Sequence, residues 1–187
     1  MDTLVWPLTF DGMYSIRSAY RLYSEISRQA LPSSSAVEGD KGLWNGIWKL
    51  RVPPKVRHFL WRVVREALPT KLNLLKRNVV ADELCELCRE SNKDSLHALW
   101  LCDSVKAIWM SDRSFSFMHS KHFSSFTDSF LFLRKKASPR LVEHFVMVAW
   151  CIWERRNKVR LRQQAWGIGE VCRHASDLLK EFHDVHK

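Results

Sequence analysis

Three cysteines and one histidine lie within eighteen residues of a chain that contains five cysteines in all. Their spacing is Cys85-x2-Cys88-x8-His97-x4-Cys102. Two cysteines separated by two residues form a tight turn, called a knuckle, from which both thiolates reach one ion, and a distant histidine and cysteine can complete a tetrahedron around Zn²⁺. Because four protein ligands leave no position for a reactive water, the pattern predicts a structural zinc site.

The alternative for these residues is three buried or unreactive cysteines beside a core histidine, with no metal. The segment "SLHALWL" predicts a short helix that presents His97. In a regular α-helix Cys102 would lie about 140° around the axis from His97, because each residue turns about 100°. The last turn of this helix must therefore unwind for Cys102 to join the site.

The other cysteines and two histidine pairs are weaker candidates. Cys151 lies in the apolar half of a predicted helix, and Cys172 follows a valine, so both are expected to be free thiols in or beside the core. Isolated histidine pairs in polar segments are weak metal-site signals even at ligand-like spacing. The pairs with that spacing are His119 with His122 and His183 with His186.

The charge distribution favours a polyanionic partner. The chain has 30 Lys and Arg against 20 Asp and Glu, a net charge of +10. Residues 49–78 carry nine basic residues and one acid, a net charge of +8, and residues 134–162 carry nine basic residues and two acids, a net charge of +7. Clustered cations bind phosphates by releasing counterions, whereas the alternative is a basic surface that is merely solvated.

The elements that must position these residues are predicted to be mainly α-helical. "KVRHFLWRVVREAL" has apolar residues at i, i+3, i+4, i+7, i+8 and i+11, and Pro54 suits the first position of its helix. Helical spacing also recurs in 16–28, 43–50, 71–77, 104–109, 122–136, 140–164 and 171–182. Two apolar runs around Asp11-Gly12 predict one small N-terminal β-hairpin. The predicted fold is a small helical domain with this hairpin and a zinc knuckle.

Four segments are expected along the chain: a hairpin and helix in 1–30, a flexible linker in 31–42, a zinc-binding helical core in 43–112, and a C-terminal helical region in 113–187. No apolar run reaches the roughly 18 residues of a membrane span, so no membrane association is expected. The start "MDTLVWPLTFDG" lacks the basic region and apolar stretch of a secretory signal. A reducing compartment, nucleus or cytoplasm, is therefore expected.

The residues around the cysteines resemble a known family. In order along the chain these residues are "WKLRVPPKVRHFLWRVVREALPTKLNLLKR", "CELC", "SLHALWLC" and "AIW". They are similar to the zinc-binding domain that follows the reverse transcriptase in plant LINE-type (non-LTR) retrotransposon polyproteins. "LVWPLTFDGMYSIRSAY" and "WCIWERRNKVRL" resemble its flanks, so the likeness extends to about residue 165. The resemblance implies a structural Zn²⁺ held by Cys85, Cys88, His97 and Cys102.

This sequence departs from the family pattern at two positions. The family commonly has glycine after the second cysteine, where this chain has Arg89, and often proline after the last, where it has Asp103. Neither change removes a ligand. Arg89 is expected to strain the knuckle turn, because glycine adopts positive φ without steric cost.

The resemblance implies a non-catalytic module, a fragment without the polymerase and ribonuclease H domains that it connects in such polyproteins. The chain has no paired-aspartate polymerase motif, and its acids are too scattered for two-metal nuclease chemistry. A stand-alone enzyme is disfavoured because His58, His144 and His174 lie on helical patterns without a nearby nucleophile or acid. RNA or DNA and those two neighbouring domains are the expected partners, and the oligomeric state stays open.

Two groups of cations are the predicted phosphate contacts. They are Arg57, Arg62, Arg65, Lys71, Lys76 and Arg77 in the first group, and Arg155, Arg156, Lys158, Arg160 and Arg162 in the second. Trp61 is the nearest aromatic residue that could stack on an unpaired base, although a tryptophan in an amphipathic helix is more often core. The alternative function is a structural or protein-interaction connector that binds no nucleic acid. Salt dependence separates the two, because phosphate contacts weaken steeply with added salt.

Overall fold

The computed structural model describes residues 6, 9, 13, 15–29 and 35–186 of the chain. This part is mainly α-helical, which confirms the predicted class, and it contains no β-strand beyond one isolated antiparallel bridge between Leu84 and Asn92. The hairpin predicted around Asp11-Gly12 lies outside the described residues. Within the described ranges, no helix has the length and apolar character needed to cross a membrane.

The described residues form eight α-helices. In chain order they are α1 (Ile16–Gln29), α2 (Ser35–Trp48), α3 (Pro54–Val64), α4 (Lys71–Leu75), α5 (Asp103–Met110), α6 (Phe126–Lys136), α7 (Pro139–Arg160) and α8 (Val171–Val185). A π-helical turn occupies His97–Leu101, and 3-10 turns occupy Arg113–Met118 and Ile168–Glu170. The positions of α3, α5, α7 and α8 follow the apolar spacing closely, because each helix has one face to bury.

The prediction of a flexible linker over 31–42 is wrong for residues 35–42, which are helical. Helix α2 begins at Ser35 and continues without a break to Trp48. Its C-terminal half is apolar, and Ile47 is fully buried. Once such an anchored turn exists, each further residue adds a hydrogen bond at little entropic cost, so a helix can extend into a segment of weak propensity.

The chain divides into two compact units, Met1–Leu43 and Trp44–Lys187. The core of the second unit surrounds α7, whose Phe145 ring stacks on Trp109 of α5 at 4.8 Å between centroids and on Phe126 of α6 at 5.4 Å. Helix α3 contributes Val56 and Leu60, both fully buried. The predicted zinc-binding core and C-terminal region therefore share one hydrophobic core, which fixes α7 relative to the cysteine segment.

Candidate metal centre

The fold brings the four predicted ligands together. The Sγ atoms of Cys85, Cys88 and Cys102 and a ring nitrogen of His97 all lie within 4.8 Å of one another. Cys85 Sγ is 3.9 Å from Cys102 Sγ, and Cys88 Sγ is 3.3 Å from His97 Nε2. Tetrahedral zinc with Zn–S of about 2.3 Å and Zn–N of about 2.0–2.1 Å requires S···S near about 3.8 Å and S···N near about 3.6 Å. The donor set and its spacing therefore fit a zinc ion.

The first two cysteines lie on a closed knuckle turn. The Cys85 amide donates to the Ser91 carbonyl at 2.9 Å, and the Arg89 amide donates back to the Cys85 carbonyl at 2.8 Å. These two hydrogen bonds hold the backbone of the turn in place. The thiols of Cys85 and Cys88 therefore lie close enough to bind one ion. Cys85 is fully buried and Cys88 is half-buried, so the centre has a closed side and a side nearer solvent.

Arg89 has a backbone φ of +57° at the end of the knuckle. The expected strain is therefore present, because the left-handed region costs a residue with a Cβ atom about 1–2 kcal/mol. The turn geometry demands this conformation at the position where the family pattern commonly has glycine. The arginine thus keeps the ligand geometry at a cost in stability.

Replacing Arg89 by glycine is expected to stabilise the zinc-bound chain by about 1 kcal/mol, because glycine adopts this φ without a steric clash. Denaturant unfolding in the presence of zinc measures the change. Arg89→Ala is the matched control: it removes the same charge but keeps the Cβ atom, so it should give no such gain. Equal stability of the glycine and alanine variants would show that the backbone at Arg89 is not strained.

The second pair of ligands is set by the π-helical turn His97–Leu101. The Cys102 amide donates to the His97 carbonyl at 3.0 Å, a hydrogen bond that reaches back five residues. The sequence predicts that this turn must depart from α-helix, and the departure is a widening of the turn rather than an unwinding. In a π-helical turn residues five apart lie on the same side of the helix. His97 and Cys102 are five residues apart, so their side chains point towards the same ion position.

Neighbouring polar groups hold this widened turn in place. The Trp109 indole Nε1 donates to the Leu99 carbonyl at 2.8 Å within the core, and Asp94 Oδ1 accepts the His97 amide at 2.6 Å. Cys102 occupies the N-cap position of α5 in an extended conformation. Asp103 is therefore the first residue of α5.

A residue outside the motif completes the surroundings of the centre. Arg156 of α7 is only 3% exposed, and its Nη2 donates to Cys85 Sγ at 2.9 Å. Burial raises the pKa of the Cys85 thiol, but the amides of Cys88 and Leu87 and the Arg156 guanidinium together lower that pKa to about 6. Three thiolates around Zn²⁺ would give the centre one net negative charge. The buried guanidinium would compensate that charge and so stabilise the zinc-bound centre.

The prediction that Arg156 contacts nucleic acid is wrong, because its side chain is buried against the cysteine cluster. A basic run in the sequence, "ERRNKVRLR", gives no sign of which arginine turns inward. The available signal is helical: Arg156 lies four residues after Ile152, which is fully buried on α7. Lys93, also 3% exposed, pairs with Glu86 at 2.9 Å beside the same cluster.

Comparison with known sequences places this geometry in a family. A family profile described as zinc-binding in reverse transcriptase matches residues 14–109, about half of the chain, and the matched range includes all four ligand positions. The chain belongs to this family. The resemblance of the cysteine segment to this family is thereby confirmed.

The family match is accompanied by one plant relative. This zinc-binding chain is 32% identical over 111 residues to an Arabidopsis thaliana protein named "Putative ribonuclease H protein". The match covers 58% of the chain but 16% of that protein, so the chain spans about a sixth of the relative's length. No solved structure gives a significant match.

The remaining cysteines of this zinc-binding chain lie apart from the cluster. Cys151 is fully buried, and burial raises the pKa of its thiol to about 12. Burial also raises the pKa of Cys172, which donates to the Ile108 carbonyl. A thiol that resists ionisation is a poor zinc ligand, since metal binding requires the thiolate. Among the described residues, the four motif side chains form the one His, Cys, Asp and Glu group arranged to hold an ion.

The histidines have structural partners that the sequence did not reveal. His144 Nε2 lies 2.9 Å from Asp112 Oδ2, so the prediction that it lacks a nearby acid is wrong. Asp112 also caps the Arg113–Met118 turn by accepting the Ser114 amide at 2.9 Å. His183 Nε2 donates to the Arg51 carbonyl at 2.7 Å. These contacts join residues that are far apart in the sequence. Apolar periodicity describes single helices, so it does not predict such pairs.

The predicted nucleic-acid contacts divide by exposure. Exposed members are Arg62, Arg65, Lys76, Arg77, Arg160 and Arg162. Half-buried members are Arg57, Lys71, Arg155 and Lys158. Each half-buried cation has an internal partner: Arg57 donates to the Trp48 carbonyl, Lys71 pairs with Asp82, Arg155 donates to the Trp166 carbonyl, and Lys158 lies over the Trp166 ring. The exposed set is free to meet a phosphate, and Arg57, which gives one of its five N–H donors to the Trp48 carbonyl, keeps the other donors for one.

Proposed function

We propose that the chain is a non-catalytic, zinc-stabilised accessory module of a retroelement polyprotein that binds RNA or DNA through the outward face of α3. The family match and the Cys3His cluster support the zinc-stabilised module. The zinc supplies no reactive site in this proposal, since four protein ligands close its coordination shell. Its role is to fix the knuckle against α5 and α7.

One observation carries the nucleic-acid proposal: the face of α3 opposite the core is cationic. Val56, Leu60 and Val63 are fully buried on one side of the helix, while Arg62 and Arg65 are exposed on the other. The helix sequence, "PKVRHFLWRVV", contains no acid. Exposed Lys76 and Arg77 follow α4 and extend the basic surface along the sequence. Such a surface attracts phosphates and releases counterions on binding.

The proposed partners follow from the relatives. The relative's name assigns it to ribonuclease H, and the family description assigns the matched region to reverse transcriptases. We therefore place this module beside reverse transcriptase and ribonuclease H domains of one polyprotein, where a bound strand could pass between polymerase and nuclease. The competing role is a connector that holds those domains apart without touching the nucleic acid.

Replacing Arg62 and Arg65 together by glutamine is expected to weaken binding to RNA or DNA at low salt. The salt slope of the binding constant should fall by roughly 2, about one unit for each lost phosphate contact. Fluorescence anisotropy with a labelled oligonucleotide at a series of salt concentrations measures both quantities. Zinc content and helix content should stay unchanged, because both side chains are exposed.

The matched control is Arg173→Gln with Lys180→Gln on α8. Both residues are exposed and lie outside the two basic stretches, so the net charge changes equally without touching α3. Equal loss in both double variants would mean that only net charge matters. Unchanged binding in the α3 variant would exclude this face, and no binding by the unmodified chain would favour the connector.

A further inference from the structure

Trp61 on α3 is exposed where the sequence predicts a core tryptophan. Its side chain is 38% exposed, and the buried residues of α3 lie on another face of the helix. None of the four buried residues of α3, which are Val56, Phe59, Leu60 and Val63, lies three or four residues from Trp61, so the helical spacing places Trp61 off the buried face. A core position was expected because tryptophan is highly buried on average.

Several other tryptophans of the second unit are buried or have a ring or cation partner. Trp109 is buried in the core, Trp150 lies under the Lys55 ammonium at 4.3 Å, and Trp166 lies under Lys158 at 4.1 Å. Trp48 is 43% exposed, but the His58 ring packs edge-on against it at 5.5 Å. Within the described part of the chain, the Trp61 ring makes neither a ring contact nor a cation contact. The exposed part of the Trp61 ring is therefore open to a ligand.

Arginines flank this ring one helical turn away on each side. Arg57 precedes Trp61 by four residues and Arg65 follows it by four, which places all three on one stripe of the helix. The Arg65 amide still donates to the Trp61 carbonyl at 3.1 Å, so the helical register holds to the end of the stripe. A flat aromatic face between cations is the arrangement that binds an unpaired base and its neighbouring phosphates.

We infer that the stripe Arg57, Trp61 and Arg65 binds single-stranded nucleic acid, with the indole stacking on one unpaired base. This inference rests on the proposed function and narrows it to one class of ligand. Charge alone would serve a duplex as well, but base faces inside a duplex are already stacked on one another and cannot receive an indole. The arginines supply phosphate contacts, and the tryptophan supplies the preference for an unpaired strand.

The test compares Trp61→Ala with the unmodified chain on three labelled probes: oligo-dT, oligo-U and a mixed-sequence DNA duplex, each of 20 nucleotides per strand. Trp61→Ala should weaken single-strand binding by roughly 5- to 150-fold, the usual range for one base stacked on one aromatic ring. Duplex binding should change by less than about 2-fold. The oligo-dT and oligo-U arms show whether the strand is DNA, RNA or either.

Two further variants separate stacking from apolar contact. Trp61→Phe keeps an aromatic face and should retain most of the affinity, whereas Trp61→Leu keeps apolar bulk without that face and should behave like alanine. Unchanged single-strand binding in Trp61→Ala, with the Arg62 and Arg65 double variant still impaired, would overturn the inference and leave the proposed function standing. Equal losses on single strands and duplex would overturn it too. No binding to any probe by the unmodified chain would overturn both.

Discussion

Replacing Cys88 by serine is expected to abolish stoichiometric zinc binding and to lower the free energy of unfolding by at least about 4 kcal/mol, because metal binding at a structural site is part of the folding free energy. Cys88 is the most informative of the three cysteines. It is half-buried, whereas Cys85 and Cys102 are fully buried, so its replacement disturbs packing least. Elemental analysis of purified chain and thermal unfolding give the two quantities.

The control for this experiment is Cys172→Ser. It makes the same chemical change away from the cluster, and a serine hydroxyl can still donate to the Ile108 carbonyl. This variant should keep one zinc per chain. A Cys88→Ser variant with full zinc content and an unchanged melting temperature would contradict the assignment of the ligand set.

Replacing Arg156 by methionine is expected to weaken zinc binding by roughly 10- to 100-fold, the usual effect of removing a group that contacts a metal ligand from outside the coordination shell. The guanidinium is buried with one hydrogen bond, to Cys85 Sγ, and its Nε and Nη1 have no hydrogen-bond partner among the described residues. A buried cation of this kind is stabilised mainly by the negative centre beside it. Methionine fills similar space without a charge.

The same substitution should act in the opposite direction on the zinc-free chain. Without the ion the guanidinium is paired only with the Cys85 thiolate, and Cys85 can take up a proton once Arg156 is replaced, so no unpaired charge is left buried and Arg156→Met should leave the zinc-free stability unchanged or raise it. Chelator competition gives the affinity, and denaturant unfolding with and without zinc gives the two stabilities. Arg155→Met is the matched control, since Arg155 donates to the Trp166 carbonyl and not to a ligand. Equal zinc affinity in the two variants would rule out the proposed effect of Arg156.

The sequence by itself was sufficient for the parts of this protein that local spacing controls. The four ligand positions Cys85, Cys88, His97 and Cys102 lie within eighteen residues. The structure brings their side chains together by local turns of this one segment. The helices α3, α7 and α8 follow their apolar stripes because one face of each must be buried. The positive φ of Arg89 was likewise readable, since the knuckle turn dictates it.

Only the tertiary structure decided which members of the basic runs face solvent and which face the metal centre. Arg156 lies 54 residues beyond Cys102 in the sequence, and it reaches Cys85 because α7 packs against the knuckle through a shared core. Periodicity gives each helix a buried side, but it does not say what covers that side. Local spacing in the sequence determines which residues can bind the metal and where the helices lie. The contacts of each charged or aromatic side chain depend on how distant segments pack together.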